Sequence, residues 1–245
     1  MRSLRASWKL ARALGMVLSG LMTLAFVFPR LSAGEREARV QAWAERTLQV
    51  LGVGLEVRGV PAAQGPVLLV ANHISWLDIL VLHAARYCRF VSKADVRRWP
   101  LIGRLAEGAG TLFIERESRR DALRVVHHMA ERLRAGDVLA VFPEGTTSNG
   151  IALLPFHANL LQAAISADVP AQPVALVFLD AASRQPTTRA CYIGDDSLVG
   201  SLWRTLGGAP IVAVVHFGQP EAAQARDRRL WAEHLRERVD ELRRI

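Results

Sequence analysis

Short runs with the apolar or alternating character of strands recur at 55–60, 67–71, 89–92, 111–114, 138–142, 174–179, 190–193 and 211–217. Several lead into stretches whose apolar residues recur at helical period, from 76 and over 99–107, 119–134 and 156–167, and a last helix is expected over 222–244. A strand followed by a helix and then another strand returns the chain to the same end of a sheet. Repeated units of this kind therefore demand an α/β fold, with a mostly parallel or mixed sheet flanked by helices on both faces. The length, 245 residues with 51% hydrophobic content, suits one such domain, expected at 53–245. No internal repeat or low-complexity segment interrupts it.

Residues 1–52 read differently. Arg2, Arg5, Lys9 and Arg12 precede a stretch over 13–29 that carries no charge before Arg30. That is near the lower limit of about 17 residues for a spanning helix, and Gly15, Ser19, Gly20 and Thr23 dilute it. A signal peptide would share the basic start and apolar middle, and 31–33 loosely resembles a cleavage site, but no secreted-type cysteine pattern follows. An uncleaved anchor or half-buried hairpin is expected, with the basic flank on the cytoplasmic side. Over 34–51, Val40, Trp43, Leu48 and Leu51 make an amphipathic helix, suited either to a bilayer surface or to packing on the domain.

Lys plus Arg number 31 against 23 Asp plus Glu, a formal net charge of +8 that favours anionic partners such as an anionic membrane surface or phosphate-bearing substrates. Nucleic acid is not favoured, since the basic residues are scattered and no aromatic-rich recognition motif accompanies them. Cys88 and Cys191 are the only cysteines and lack zinc-site spacing, so no metal site is expected.

In an open α/β sheet, ligands gather beyond the carboxyl ends of the strands. The run Val67 to Ala71 is followed by Asn72-His73-Ile74-Ser75-Trp76-Leu77-Asp78. With Ser75 as N-cap, Asp78 falls at N3 and completes a capping box, which accounts for Ser75 and Asp78 on structural grounds alone. It leaves His73 unexplained. A carboxylate at N3 can turn back to accept from one imidazole nitrogen and leave the other free as a base. Other strand ends offer Glu115-Arg116, whose guanidinium suits a phosphate or carboxylate, and Lys93, a second candidate for an anionic group. Pro143-Glu144-Gly145-Thr146 follows the run at 138–142 and reads as a tight turn in which Gly145 lets the backbone approach a ligand. Solvated surface residues and a plain turn are the bland alternatives for these three.

Taken together, the stretch 72–78, Phe113-Ile114-Glu115-Arg116, Phe142-Pro143-Glu144-Gly145-Thr146 and Val169-Pro170-Ala171-Gln172-Pro173-Val174 resemble, in order, the four blocks of the glycerolipid acyltransferases, over roughly 55–179. The resemblance implies an O-acyltransferase of glycerolipid acyltransferase-like fold. His73 would be general base and Asp78 its orienter, with Lys93, Arg116, Glu144, Gly145 and Thr146 binding substrate. It implies no cofactor: acyl-CoA or acyl-ACP serves as co-substrate, a membrane lipid is the acceptor, and the active site faces the cytoplasm at the membrane. The acceptor expected first is 1-acyl-sn-glycerol-3-phosphate, giving phosphatidic acid. Thr147 stands where the family's third block usually has Arg, and Glu144-Gly145-Thr146-Thr147-Ser148 is similar to the branch that acylates lyso-ornithine lipids. A lyso-ornithine acceptor is therefore the alternative.

Two other classes compete. A membrane-attached lipid-binding protein would explain the anchor and the charge, yet leaves His73, Asp78 and Glu144 without a task. A serine hydrolase would need a Gly-x-Ser-x-Gly elbow, which the chain lacks.

Overall fold

The computed structural model describes residues 2–114 and 119–244. Seven strands form one sheet: β1 Val53–Arg58, β2 Val67–Ala71, β3 Arg89–Lys93, β4 Leu112–Ile114, β5 Val138–Val141, β6 Ala171–Asp180 and β7 Ile211–Phe217, in the order β1-β7-β6-β2-β5-β3-β4. All neighbours pair in parallel except β6 with β7, which run antiparallel over seven residue pairs from Val174↔Phe217 to Asp180↔Ile211. The sheet is therefore mixed, and β2, β3, β4, β5 and β6 end at the same edge.

Strand β2 shows why the sheet is covered on both sides. All five of its residues are buried, and they alternate between two cores. Val67, Leu69 and Ala71 pack with residues of α2 (Ala33–Leu51), α3 (Leu77–Ala85) and α7 (Leu198–Gly207). Leu68 and Val70 pack with α5 (Arg119–Arg134), α6 (Gln162–Ala167) and α8 (Arg228–Arg243). A polar residue at any of these positions would meet apolar side chains on either face.

The amphipathic segment expected over 34–51 packs on the domain. Ser32 caps α2 with a reciprocal capping box to Glu35, Gly52 ends it with φ +77°, and Ala44, Leu48 and Leu51 join the core shared with β1, β2 and α3. Ahead of it, α1 (Arg2–Met22) continues through a π turn and a 3₁₀ turn to Arg30 and packs against α2, α7 and α4 (Ile102–Gly108). The Trp43 indole donates to the Met16 carbonyl at 2.9 Å. Where α1 meets α2 and α4, a Cβ on Gly20 would lie 2.8 Å from Leu105 Cδ2 and 3.0 Å from the Trp43 ring, so the helices pack closely at this glycine.

The structure departs from several expectations: β1 lies two residues earlier than the run at 55–60, and the helices expected from 99 and 156 begin at Ile102 and, after a 3₁₀ turn over Ala158–Leu161, at Gln162. The run at 190–193 is a loop, not a strand, because Tyr192 N–H bonds to the Ile74 carbonyl instead of joining a ladder. Helix α7 was not expected; Gly200, Gly207 and Gly208 dilute its pattern, while the Ser197 hydroxyl, accepting from Gly200 N–H at 3.0 Å, starts it. The last helix begins at Arg228, where Asp227 accepts from two backbone N–H groups. Residues 220–222 are instead drawn to the sheet, since Glu221 pairs with Ala171 through both backbone groups.

Candidate active site

The site is assembled at the edge where β2, β3, β5 and β6 end. Asn72, fully buried, acts as one more rung of the ladder: its amide donates to the Leu176 carbonyl at 3.0 Å and accepts the Leu176 N–H at 2.7 Å. This carries the β2–β6 pairing one residue past the strand and sets the point from which His73 leaves the sheet. Its role was not read from the sequence, although a buried Asn directly after an apolar strand is the signal.

Asp78, in the first turn of α3, is fully buried, and its Oδ2 collects three donors: Ile74 N–H at 2.6 Å, Ser75 N–H at 2.9 Å and His73 Nδ1 at 2.7 Å. Ser75 Oγ in turn accepts Leu77 N–H at 3.3 Å. Only half of the expected capping box forms: Asp78 takes the Ser75 N–H, but the Asp78 N–H bonds to the Ser75 carbonyl rather than its hydroxyl, and the helix starts one residue later, with Trp76 at the N-cap. The same carboxylate oxygen that starts the helix also holds the imidazole, so capping and orientation are one structural act. An ionised carboxylate only accepts, which places the ring proton on Nδ1 and the lone pair on Nε2. That nitrogen makes no hydrogen bond among the described residues, and the side chain is 20% exposed. Asp78 Oδ1, buried, has no partner among them.

Glu144 is also buried, and both its oxygens are taken by backbone groups: Oε1 by His73 N–H at 2.7 Å and Oε2 by Leu154 N–H at 2.9 Å. Burial pushes its carboxyl above the usual range, opposed by those two N–H donors. The His73 carbonyl accepts Ser148 N–H at 2.8 Å and Ser148 Oγ at 3.3 Å. Gly145 closes the turn with φ +73°, its N–H bonded to the Phe142 carbonyl at 3.0 Å. A Cβ there would sit 3.0 Å from the His157 ring.

Of the residues singled out from sequence, His73, Asp78 and Glu144 form one bonded network, and Gly145 shapes the turn beside it. Thr146 is exposed beyond that turn, and Lys93 is exposed at the end of β3 on the same edge. Arg116 lies outside the described residues. Thr147 donates its hydroxyl to the Tyr192 carbonyl, which joins the turn to the loop that also bonds Ile74. Such an arrangement can accept a proton at Nε2 from a hydroxyl approaching the sheet edge while Asp78 stabilises the resulting imidazolium.

A family model described as Acyltransferase matches residues 54–177. The chain is 40% identical over 234 residues to the lyso-ornithine lipid O-acyltransferase of Pseudomonas aeruginosa, covering 93% of this chain and 89% of that protein. It is 37% identical over 207 residues to a 1-acyl-sn-glycerol-3-phosphate acyltransferase of Neisseria gonorrhoeae, covering 83% of this chain and 80% of that one. The crystal structure of the 1-acyl-sn-glycerophosphate acyltransferase PlsC from Thermotoga maritima superimposes with a TM-score of 0.64 at 20% identity, over 99% of this chain and 98% of that one, and so shares the fold. The four blocks, the dyad they build and these relatives agree: the chain belongs to the acyltransferase family.

Proposed function

We propose that the protein moves a fatty acyl group from a thioester, acyl-CoA or acyl-ACP, to the free hydroxyl of a lysolipid. Its first acceptor is 1-acyl-sn-glycerol-3-phosphate, and the product is phosphatidic acid. The observation that carries this is the dyad: His73 Nδ1 sits 2.7 Å from Asp78 Oδ2, with Nε2 unpaired among the described residues at a sheet edge. In this reading Nε2 takes the hydroxyl proton as the oxygen attacks the thioester carbonyl. That attack forms the new C–O bond; collapse of the tetrahedral intermediate restores the C=O, breaks the C–S bond and releases a thiolate, which recovers the proton from the imidazolium. Positioned base catalysis of this kind contributes typically about 10²–10⁴-fold. Lys93 and Arg116 would meet the acceptor's anionic group, with Gly145 and Thr146 beside it. Glu144, with both oxygens engaged, would shape the pocket rather than bind substrate.

A second acceptor, lyso-ornithine lipid, is favoured by Thr147. Its hydroxyl is committed to the Tyr192 carbonyl and leaves no cation at that point of the turn, as suits an acceptor without a phosphomonoester. Offering lysophosphatidic acid and lyso-ornithine lipid side by side with one acyl thioester separates the two. Ester formation on neither would end the proposal.

The setting we propose is one leaflet of the membrane, at its cytoplasmic, anionic face. Leu10, Leu14, Leu18, Met22 and Phe26 recur every four residues and are all exposed, making an apolar stripe along α1 and the π turn after it. The opposite side of α1 is occupied by α2, α4 and α7. A helix held on its own domain by one face and apolar on the other suits lying in the interface.

A further inference from the structure

We propose that Arg236 and Arg243 on α8, outside the span matched by the family model, are positioning residues for His73 that act through the segment 150–154. The inference rests on the reading of His73 as the base. The two arginines are seven residues apart and so lie on one face of the helix, two turns from each other.

Arg236 donates from Nη2 to the Leu153 carbonyl at 3.0 Å and from Nε to the Leu154 carbonyl at 3.2 Å. The Leu153 carbonyl and the Leu154 N–H belong to one peptide unit, and that N–H is the donor to Glu144 Oε2. A guanidinium on the carbonyl polarises the unit and strengthens the N–H as a donor. Glu144 then holds the His73 N–H through Oε1. Arg243, only 11% exposed and paired with Asp240, donates to the Gly150 carbonyl at 2.6 Å. Gly150 N–H donates to Ser148 Oγ at 3.2 Å, and Ser148 binds the His73 carbonyl.

The two paths thus end on the two peptide planes that flank the His73 Cα, one on its N–H and the other on its C=O. Fixing both planes fixes the direction in which the Cα–Cβ bond leaves the backbone, and with it where the imidazole is placed before Asp78 orients the ring. The segment is anchored by packing as well: Leu153 is buried in a small cluster with Val239 of α8 and Ala175 of β6. Misplacement of a catalytic group by about 1 Å can cost 10²-fold in rate, so a brace far from the substrate can act on turnover without touching binding.

The test is steady-state kinetics of Arg236→Ala, Arg236→Lys and Glu144→Gln, with Arg238→Ala as control, since among the described residues Arg238 pairs with Glu241 on the same helix and with nothing near the site. Arg236→Ala is expected to lower kcat roughly 10- to 100-fold, with KM for donor and acceptor within about twofold. Arg236→Lys should recover part of the loss, and combining Arg236→Ala with Glu144→Gln should add little to the larger single effect, as residues on one path do. The inference is overturned if folded Arg236→Ala keeps wild-type kcat, or if the two losses multiply. If Arg236→Ala does not fold, Arg236→Gln, which keeps two donors without the charge, decides by the same comparison. His73→Ala distinguishes the levels: an active His73→Ala removes the base itself, whereas an inactive one beside an unaffected Arg236→Ala removes only the brace.

Discussion

The imidazole of His73 lies flat on the ring of Phe142, with 4.0 Å between centroids and 8° between planes. Phe142 follows the last residue of β5 and stacks in turn near Phe90 of β3 at 5.7 Å. The His73 ring is therefore held on its edge by Asp78 and on its face by the neighbouring strand end. Both constraints come from residues at one edge of the sheet, which is why the parallel order of β2, β5 and β3 matters to the chemistry.

Replacing Asp78 with Asn separates the two tasks of this carboxylate. The amide oxygen can take the Oδ2 position and keep the N–H groups of Ile74 and Ser75, while the amide nitrogen falls where Oδ1 has no partner. Stability should drop by only about 1–3 kcal/mol, the cost of a buried unpaired donor. Turnover should fall about 10²–10⁴-fold, because no negative charge remains beside the imidazolium. Thermal unfolding and an acyl-transfer assay on the same preparation check this; full activity would reduce Asp78 to a helix cap.

His83 gives the fold a pH dependence of its own. It is buried beside Tyr87 and Phe90, its Nδ1 has no partner among the described residues, and burial pushes it down to about 4. Below its ordinary value the unfolded chain binds a proton that the folded chain refuses. Stability from this group is therefore complete above about pH 6.5 and lost as pH falls from there to about 4, by up to about 3 kcal/mol. His83→Leu should flatten the decline of melting temperature over that window; an unchanged slope would assign the acid sensitivity elsewhere.

Thr147→Arg tests the basis of acceptor choice. Placing a guanidinium on this turn breaks the hydroxyl bond to Tyr192 and adds a fork of donors suited to a phosphomonoester. The ratio of lysophosphatidic acid to lyso-ornithine lipid turnover should rise about tenfold, the effect of one charge-assisted bond of about 1.4 kcal/mol. A ratio that does not move would take this position out of acceptor recognition.

Leu14→Glu with Leu18→Glu puts two charges on the exposed stripe of α1 without touching the face against α2. Co-sedimentation with anionic vesicles should be lost while the melting temperature holds. Retained binding would move the membrane contact to another surface.

Much of this was legible in the residues. The apolar run at 67–71 and the helix over 119–134 have the bounds expected of them, because β2 is apolar throughout and α5 keeps helical period between charged ends. The dyad was legible since both partners lie within one strand-to-helix turn. What escaped depends on distant chain. Glu144 reads as a substrate-binding residue until Leu154 N–H and His73 N–H are seen to occupy it. The loop at 190–193 has the composition of a strand, but its backbone bonds run to Thr188, Ile74 and Arg204 instead of to a neighbouring strand. Gln172 ties Val60, Ala62 and Gly218 together, a role no local pattern announces.

The central claim is that His73 takes the proton of the acceptor hydroxyl. Thioester consumption by purified His73→Ala, supplied with acyl-CoA and lysophosphatidic acid in vesicles, tests it most directly. Loss of transfer to background, with a melting temperature close to wild type, is the expected result. Turnover at the wild-type rate would contradict it.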